Sequence, residues 1–293
     1  MRTVVAIIGL AVALLLGACD AKVAGTDKKA DPHWVIASLK VVGASDLDDE
    51  SHAALKANVA SAFADSVKDL PMLSMSGSGS PLKGELVFEW MTDPEKESKG
   101  IVLHLNLVLE GEDSRGPFKF AAESWSAIEP SKGEAVTETE RRAADRATGE
   151  LSRQLDAQVK VLAAEGGALE PWLTDSEPET LRFVMHELVR RDRRDLAPAI
   201  RQLLFHPDKD VVLTALGTLA QIGDEDSVPA VFDLTSSPDA EKVDQALYAL
   251  GAIGGEEAKG ILERMVRSHP DPTVKRIAEE MLKKIAAREK GKE

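Results

Sequence analysis

An internal repeat of about 31 residues constrains the second half of this chain more than any other feature. Four short apolar segments begin at Val184, Ala215, Ala246 and Ala278, so their starts differ by 31, 31 and 32 residues. A proline precedes each segment, at positions 178, 207, 238 and 270. A period of this length predicts stacked units rather than one compact core, because each unit buries its apolar face only against its neighbours.

Each unit is predicted to contain a helix, a turn, a shorter second helix and a return loop. Gly223 and Gly254 suit the C-caps of two first helices. Pro198, Pro229 and Gly260 mark the expected starts of the second helices. The last unit has room for one helix and ends in Lys and Glu, which is the composition of a solvated cap.

The core pattern Ala-Leu-x-x-Leu-x-x-Ile-Gly, clearest in residues 207–237 and 238–269, resembles HEAT repeats of the short bacterial kind. The resemblance implies an all-α solenoid of about three and a half units and a scaffold role, with the second helices lining the concave side. Six outward positions at matching registers of the second helices are the candidate partner-binding residues: Arg201, Gln202, Phe232, Asp233, Glu263 and Arg264.

Two features of the repeats have competing interpretations. Phe232 either contacts a partner or turns inward against Leu216 or Leu234. An arginine cluster at positions 190, 191, 193 and 194 either meets an acidic partner or anionic headgroups, or forms a solvated helix end whose cations suit the C-terminal dipole.

The first residues of the chain have the pattern of a secretory signal. Arg2 precedes an apolar stretch over 4–16, which is too short to span a bilayer. Leu16-Gly17-Ala18-Cys19 resembles the lipobox of bacterial lipoproteins, and Cys19 is the single cysteine of the chain. The resemblance implies cleavage before Cys19, acylation of its thiol and amine, and a stable lipid anchor in the cell envelope, facing the periplasm. Asp20 resembles an inner-membrane retention signal, and location at the outer membrane is the alternative.

These patterns and those of the first domain, described below, predict five parts of the chain. They are a signal peptide at 1–18, a lipidated flexible tether at 19–32, an α/β domain at 33–167, a linker at 168–175 and the HEAT-repeat solenoid at 176–290.

The predicted first domain has the order β-α-β-β-β-α, hence an α+β fold with an antiparallel sheet and two helices on one face. Alternating apolar residues predict strands: Val35, Ala37, Leu39 and Val41; then 86–90, 101–109 and 118–124. Residues 72–83 are predicted to form a Gly/Ser-rich loop. Helical stripes run over 55–70, ended by Pro71, and over 147–162, where Thr137 and Glu140 have capping-box spacing.

Composition narrows the possible functions. The chain has 36 Lys and Arg against 50 Asp and Glu, a net charge of −14, so nucleic acid is not an expected partner. One cysteine excludes an internal disulfide and a multi-cysteine zinc site. No catalytic, cofactor or metal-ligand pattern is found, which predicts a non-enzymatic scaffold for unknown envelope proteins. The alternative is a lipid- or small-molecule-binding role for the α/β domain, with residues 76–80 as a lid and His104 or Glu123 functional.

Overall fold

A computed structural model describes residues 33–44, 53–92, 100–164, 168–174 and 177–290. The predicted signal peptide, the tether and Cys19 lie outside the described residues.

A five-stranded mixed sheet forms the first part of the structure, in the order β2-β1-β3-β4-β5. Its strands are β1 (Trp34–Gly43), β2 (Leu73–Ser74), β3 (Ser80–Thr92), β4 (Ile101–Asp113) and β5 (Gly116–Ile128). Strands β3, β4 and β5 are antiparallel, as predicted. Strand β1 pairs in parallel with β2 and β3 instead, because a helical crossover returns the chain to the same end of the sheet. The predicted Gly/Ser-rich loop thus contains β2 and the start of β3.

A β-bulge in β1 corrects the predicted face of this strand. The pairing with β3 shifts register between Ile36 and Ser38. Trp34 and Ile36 belong to the core before the shift, whereas Leu39 packs against it afterwards. The extra residue exchanges the two faces of the strand, so Ala37 is exposed rather than buried.

Two helices cover the inner face of the sheet, which buries the leucine row of β4 completely. They are α1 (Ala53–Val67) and α2 (Val136–Ala163). Helix α1 ends before Pro71, at Val67. The predicted capping box is wrong, since Ala135 is the N-cap and Thr137 lies inside the first turn. Glu134 fixes the approach to this helix instead, by accepting from Arg142 Nη1 at 2.8 Å.

Glutamine side chains from α2 cover the free edge of β5. The amide of Gln158 bonds both the N–H and the carbonyl of Ala121, at 3.1 and 2.6 Å. Gln154 does the same for Glu123, at 3.1 and 2.8 Å. These amides take the place of a neighbouring strand and protect the edge from pairing with another chain.

Helices stacked in pairs form the second part of the described chain. They are α3 (Pro178–Arg190), α4 (Ala197–Gln202), α5 (Lys209–Ile222), α6 (Val228–Leu234), α7 (Ala240–Ile253), α8 (Gly255–Ser268) and α9 (Pro272–Lys290). Three helix pairs and a final helix confirm the predicted fold class. Gly223 is the left-handed C-cap of α5, with φ 67°. Helix α8 begins at Gly255 rather than Gly260, because Gly254 with φ 75° turns the chain directly from α7 into α8.

Candidate functional site

The sheet and the first helix pair share one apolar core. Phe183 of α3 lies 5.6 Å, between ring centroids, from Phe120 of β5. Phe120 in turn makes edge-to-face contacts with Phe118 and Trp34. A stack of helix pairs has an open apolar end that needs a cover. The sheet domain therefore caps the first end of the helical stack.

A cluster of buried charges closes this junction. Arg190 donates to both carboxylate oxygens of Asp113, at 2.6 and 3.1 Å, and to both of Glu187, at 2.7 and 3.0 Å. Arg191 donates to Glu187 at 3.0 Å and to the carbonyl oxygens of residues 161, 162 and 164, at the C-terminus of α2. Glu187 is only 2% exposed. One carboxylate thus holds two arginines that bind the sheet domain at two places.

The arginine cluster does not match either interpretation of the sequence as a whole. Arg190 and Arg191 lie in the junction. The positive charge of Arg191 interacts favourably with the C-terminal end of the α2 dipole, not with that of its own helix. Arg193 and Arg194 pair with nearby Asp195 and Asp192, at 2.7 and 2.8 Å. The position of Arg190 in the junction was not predictable from the sequence, because its partner Asp113 is 77 residues away along the chain.

Asp113 stays ionised in this cluster. Its burial raises the pKa, but hydrogen bonds from Arg190 and Arg115 outweigh burial and hold the pKa of Asp113 well below its usual range. A carboxylate with a lowered pKa stabilises the fold above its unfolded-state pKa of about 3.9. That stabilisation is lost only as the pH falls below this value, so it is fully present at neutral pH.

A cleft of about 780 Å³ opens beside the junction, between the outer part of the sheet and the first helices. Its walls include Asn106, Phe118 and Glu123 from the sheet, Gln158 from α2, Arg182 and His186 from α3, and Thr214 from α5. Volumes of this size, at contacts between domains, are typical of small-molecule sites. Among the candidates of the alternative hypothesis, Glu123 lines the cleft.

Arg182 and His186 lie one helical turn apart on α3 and both face the cleft. Desolvation between the walls lowers the pKa of His186, Arg182 lowers it further, and Glu187 raises it. The lowered pKa favours the neutral ring of His186, in which one nitrogen donates a hydrogen bond and the other accepts one. At equivalent positions of the second unit the chain has Leu213 and Gly217. This departure from the repeat was the available sequence signal for the cleft.

The six predicted partner-binding residues lie on the second helices, away from the cleft lining. Gln202, Asp233 and Arg264 are exposed, whereas Arg201 and Glu263 are partly buried. Arg201 lies 3.5 Å from carboxylate oxygens of both Asp224 and Asp226 in the next unit. Its ion pairs therefore join two units.

Two exposed aromatic rings lie on a second helix or directly after one: Phe232 in α6, and Phe205 in the 3-10 turn that follows α4. Phe232 is 37% exposed. Phe205, four residues after Arg201, is 68% exposed and was missed by the sequence analysis. We call Gln202, Phe205, Phe232, Asp233 and Arg264 the second-helix surface.

His104 and Glu123 form a small cluster on the outer face of the sheet. His104 Nε2 lies 2.8 Å from Glu123 Oε1, and its ring stacks on Trp125 with centroids 3.9 Å apart. Trp125 is 57% exposed. Within the described ranges, no group of three or more His, Cys, Asp or Glu is placed to hold a metal ion.

The comparison with protein families agrees with the helical architecture. The family model described as HEAT repeats matches residues 168–246 and 206–283. Residues 168–283 carry HEAT repeats. Repeats of this family commonly serve as scaffolds for protein interaction, and the junction described above attaches them to the sheet domain. The search of curated proteins finds no match to this chain.

None of the helices in the described part is both long and apolar enough to cross a bilayer.

Proposed function

We propose that this protein is a lipid-anchored scaffold of a bacterial cell envelope that binds protein partners through its HEAT repeats and catalyses no reaction. The observation that carries the proposal is the second-helix surface, where a HEAT solenoid exposes Phe205 and Phe232. Exposed aromatic residues are enriched at the energetic centres of protein interfaces. The polar and charged residues around them suit the rim of such an interface.

Capture of partners from detergent-solubilised envelopes tests the scaffold role. We expect a full-length chain with Phe205→Ser and Phe232→Ser to recover its specific partners at least about tenfold less well, because buried aromatic anchors dominate binding energy. The matched control is Tyr248→Ser, which removes an equally exposed ring (37%) from a first helix. Equal recovery by the double variant and the control would contradict the proposal.

Cys19 is the proposed site of anchoring, supported by the lipobox-like sequence Leu16-Gly17-Ala18-Cys19. Several acyl chains on one residue bind a membrane far more firmly than one chain. We expect Cys19→Ala to move the protein from the membrane fraction to the soluble fraction, or to leave its signal segment uncleaved. Fractionation and intact mass measure both. A cleaved variant that stays fully membrane-bound would contradict lipidation as the anchor. Asp20 favours the inner membrane, facing the periplasm.

The alternative function, binding of a lipid or small molecule, is supported by the cleft rather than by the interior of the sheet domain. That interior is filled, with Phe63, Phe88 and Phe120 fully buried. Residues 76–80 and His104 do not line the cleft. We therefore propose the cleft at the boundary between the two domains, rather than the interior of the α/β domain, for this alternative role.

A further inference from the structure

We propose that the interdomain cleft binds a ligand that carries a carboxylate on an apolar body, with Arg182 as the anchor of the carboxylate. This inference develops the ligand-binding alternative and does not depend on the second-helix surface. It rests on three observations: an arginine without hydrogen bonds, a histidine one helical turn away in the same lining, and aromatic residues in that lining.

Arg182 differs from the other arginines of the junction in its hydrogen bonding. Its nearest carboxylates, on Glu179 and Asp210, lie 3.6 Å away, beyond the usual range of a hydrogen bond. In the described part of the chain it makes no hydrogen bond, although its side chain is only 34% exposed. Arg190, by contrast, donates to two carboxylates. The planar guanidinium of Arg182 thus offers a pair of parallel donors, the geometry that a carboxylate accepts.

The surroundings of Arg182 match the rest of such a ligand. Phe118 and Phe183, each 7% exposed, contribute apolar surface to the lining of the cleft. His186, one turn further along α3, has a free N–H for the second carboxylate oxygen or for a neighbouring polar group. Asn106 and Thr214 add further polar groups to the lining. A few polar groups in a mainly apolar cleft are typical of ligand sites.

The acidic residues of the cleft decide how strongly an anion is held. Lys119 pairs with Glu110 at 3.0 Å, and the two junction arginines neutralise Glu187. Glu123 is hydrogen-bonded to His104, at the sheet wall. Glu179 and Asp210 are the remaining competitors, because each has a carboxylate oxygen 3.6 Å from the guanidinium that would hold the ligand. Removing Arg182 and removing Glu179 should therefore have opposite effects on the affinity.

Two pairs of probes test the inference by calorimetric titration into the full chain in detergent. One pair is an N-acetylated aliphatic tripeptide with a free C-terminal carboxylate and the same peptide amidated; the other is hexanoate and hexan-1-ol. We expect at least one acid to bind more tightly than its neutral counterpart. Arg182→Gln should lower the affinity for that acid about tenfold or more, and Glu179→Gln should raise this affinity several-fold. Arg267→Gln, an exposed arginine of α8, is the matched control and should change nothing.

The pattern of binding also identifies the source of the carboxylate. Preference for the peptide acid indicates a peptide C-terminus, and preference for hexanoate indicates a free fatty acid. Acids that bind no better than their neutral counterparts, or an Arg182→Gln variant with unchanged affinity and unchanged melting temperature, would overturn the proposal. Partner capture through Phe232 is measured separately, so failure here is distinguishable from failure of the scaffold role.

Discussion

Replacing Glu187 by Gln is expected to destabilise the protein by about 3–5 kcal/mol, the usual result of removing one member of a buried ion cluster. The Glu187 carboxylate accepts three hydrogen bonds at 3.0 Å or less from Arg190 and Arg191. Arg191 is only 7% exposed in its side chain, so its charge has no access to water in compensation. The neutral amide of Gln has one acceptor oxygen, whereas Arg190 and Arg191 donate to both oxygens of the Glu187 carboxylate.

Urea unfolding of the full chain measures this effect. The matched control is Glu263→Gln on α8, whose pair with Arg267 at 3.7 Å is exposed and should contribute less than about 1 kcal/mol. Equal stability of the Glu187→Gln and Glu263→Gln variants would show that the charge cluster does not hold the two domains together.

Phe183→Ala is expected to lower the free energy of unfolding by about 3–5 kcal/mol, because it leaves a cavity at the centre of the junction. The ring is 7% exposed and contacts Phe120 across the boundary between the sheet and the repeats. Its loss should also make the unfolding of the two parts separate into two transitions, since the shared core no longer couples them.

Phe205→Ala is the control for this variant, because it removes the same atoms from a ring that is 68% exposed. It should change the free energy of unfolding by less than about 0.5 kcal/mol. A Phe183→Ala protein that still unfolds in one transition with unchanged midpoint would contradict the shared core.

Long periodic segments were predictable from the sequence because their pattern is local. The leucine row of β4 and the 31-residue period of the repeats each report directly on one buried face. The parallel pairing of β1 and the bulge near Ala37 were not predictable. Both depend on contacts between β1 and β3, which are separated by helix α1.

The candidate sites likewise divide into one that was predictable from local sequence and others that depend on contacts distant in sequence. Phe232 is recognisable from repeat register alone, because its counterparts Arg201 and Glu263 are charged. The junction was hidden, since Arg190 and Asp113 are far apart in sequence and both look like surface residues until the fold joins them. Arg182 and His186 carry a local signal only when the first unit is compared with the second.

Site-specific photo-crosslinking in living cells tests the scaffold role most directly. A photoreactive p-benzoylphenylalanine replaces Phe232 in one full-length chain and Tyr248 in another, and the products are identified by mass spectrometry. The proposed second-helix surface predicts a defined envelope protein crosslinked from position 232 and absent, or strongly reduced, from position 248. No product at position 232, or the same products from both positions, would contradict partner binding by this surface.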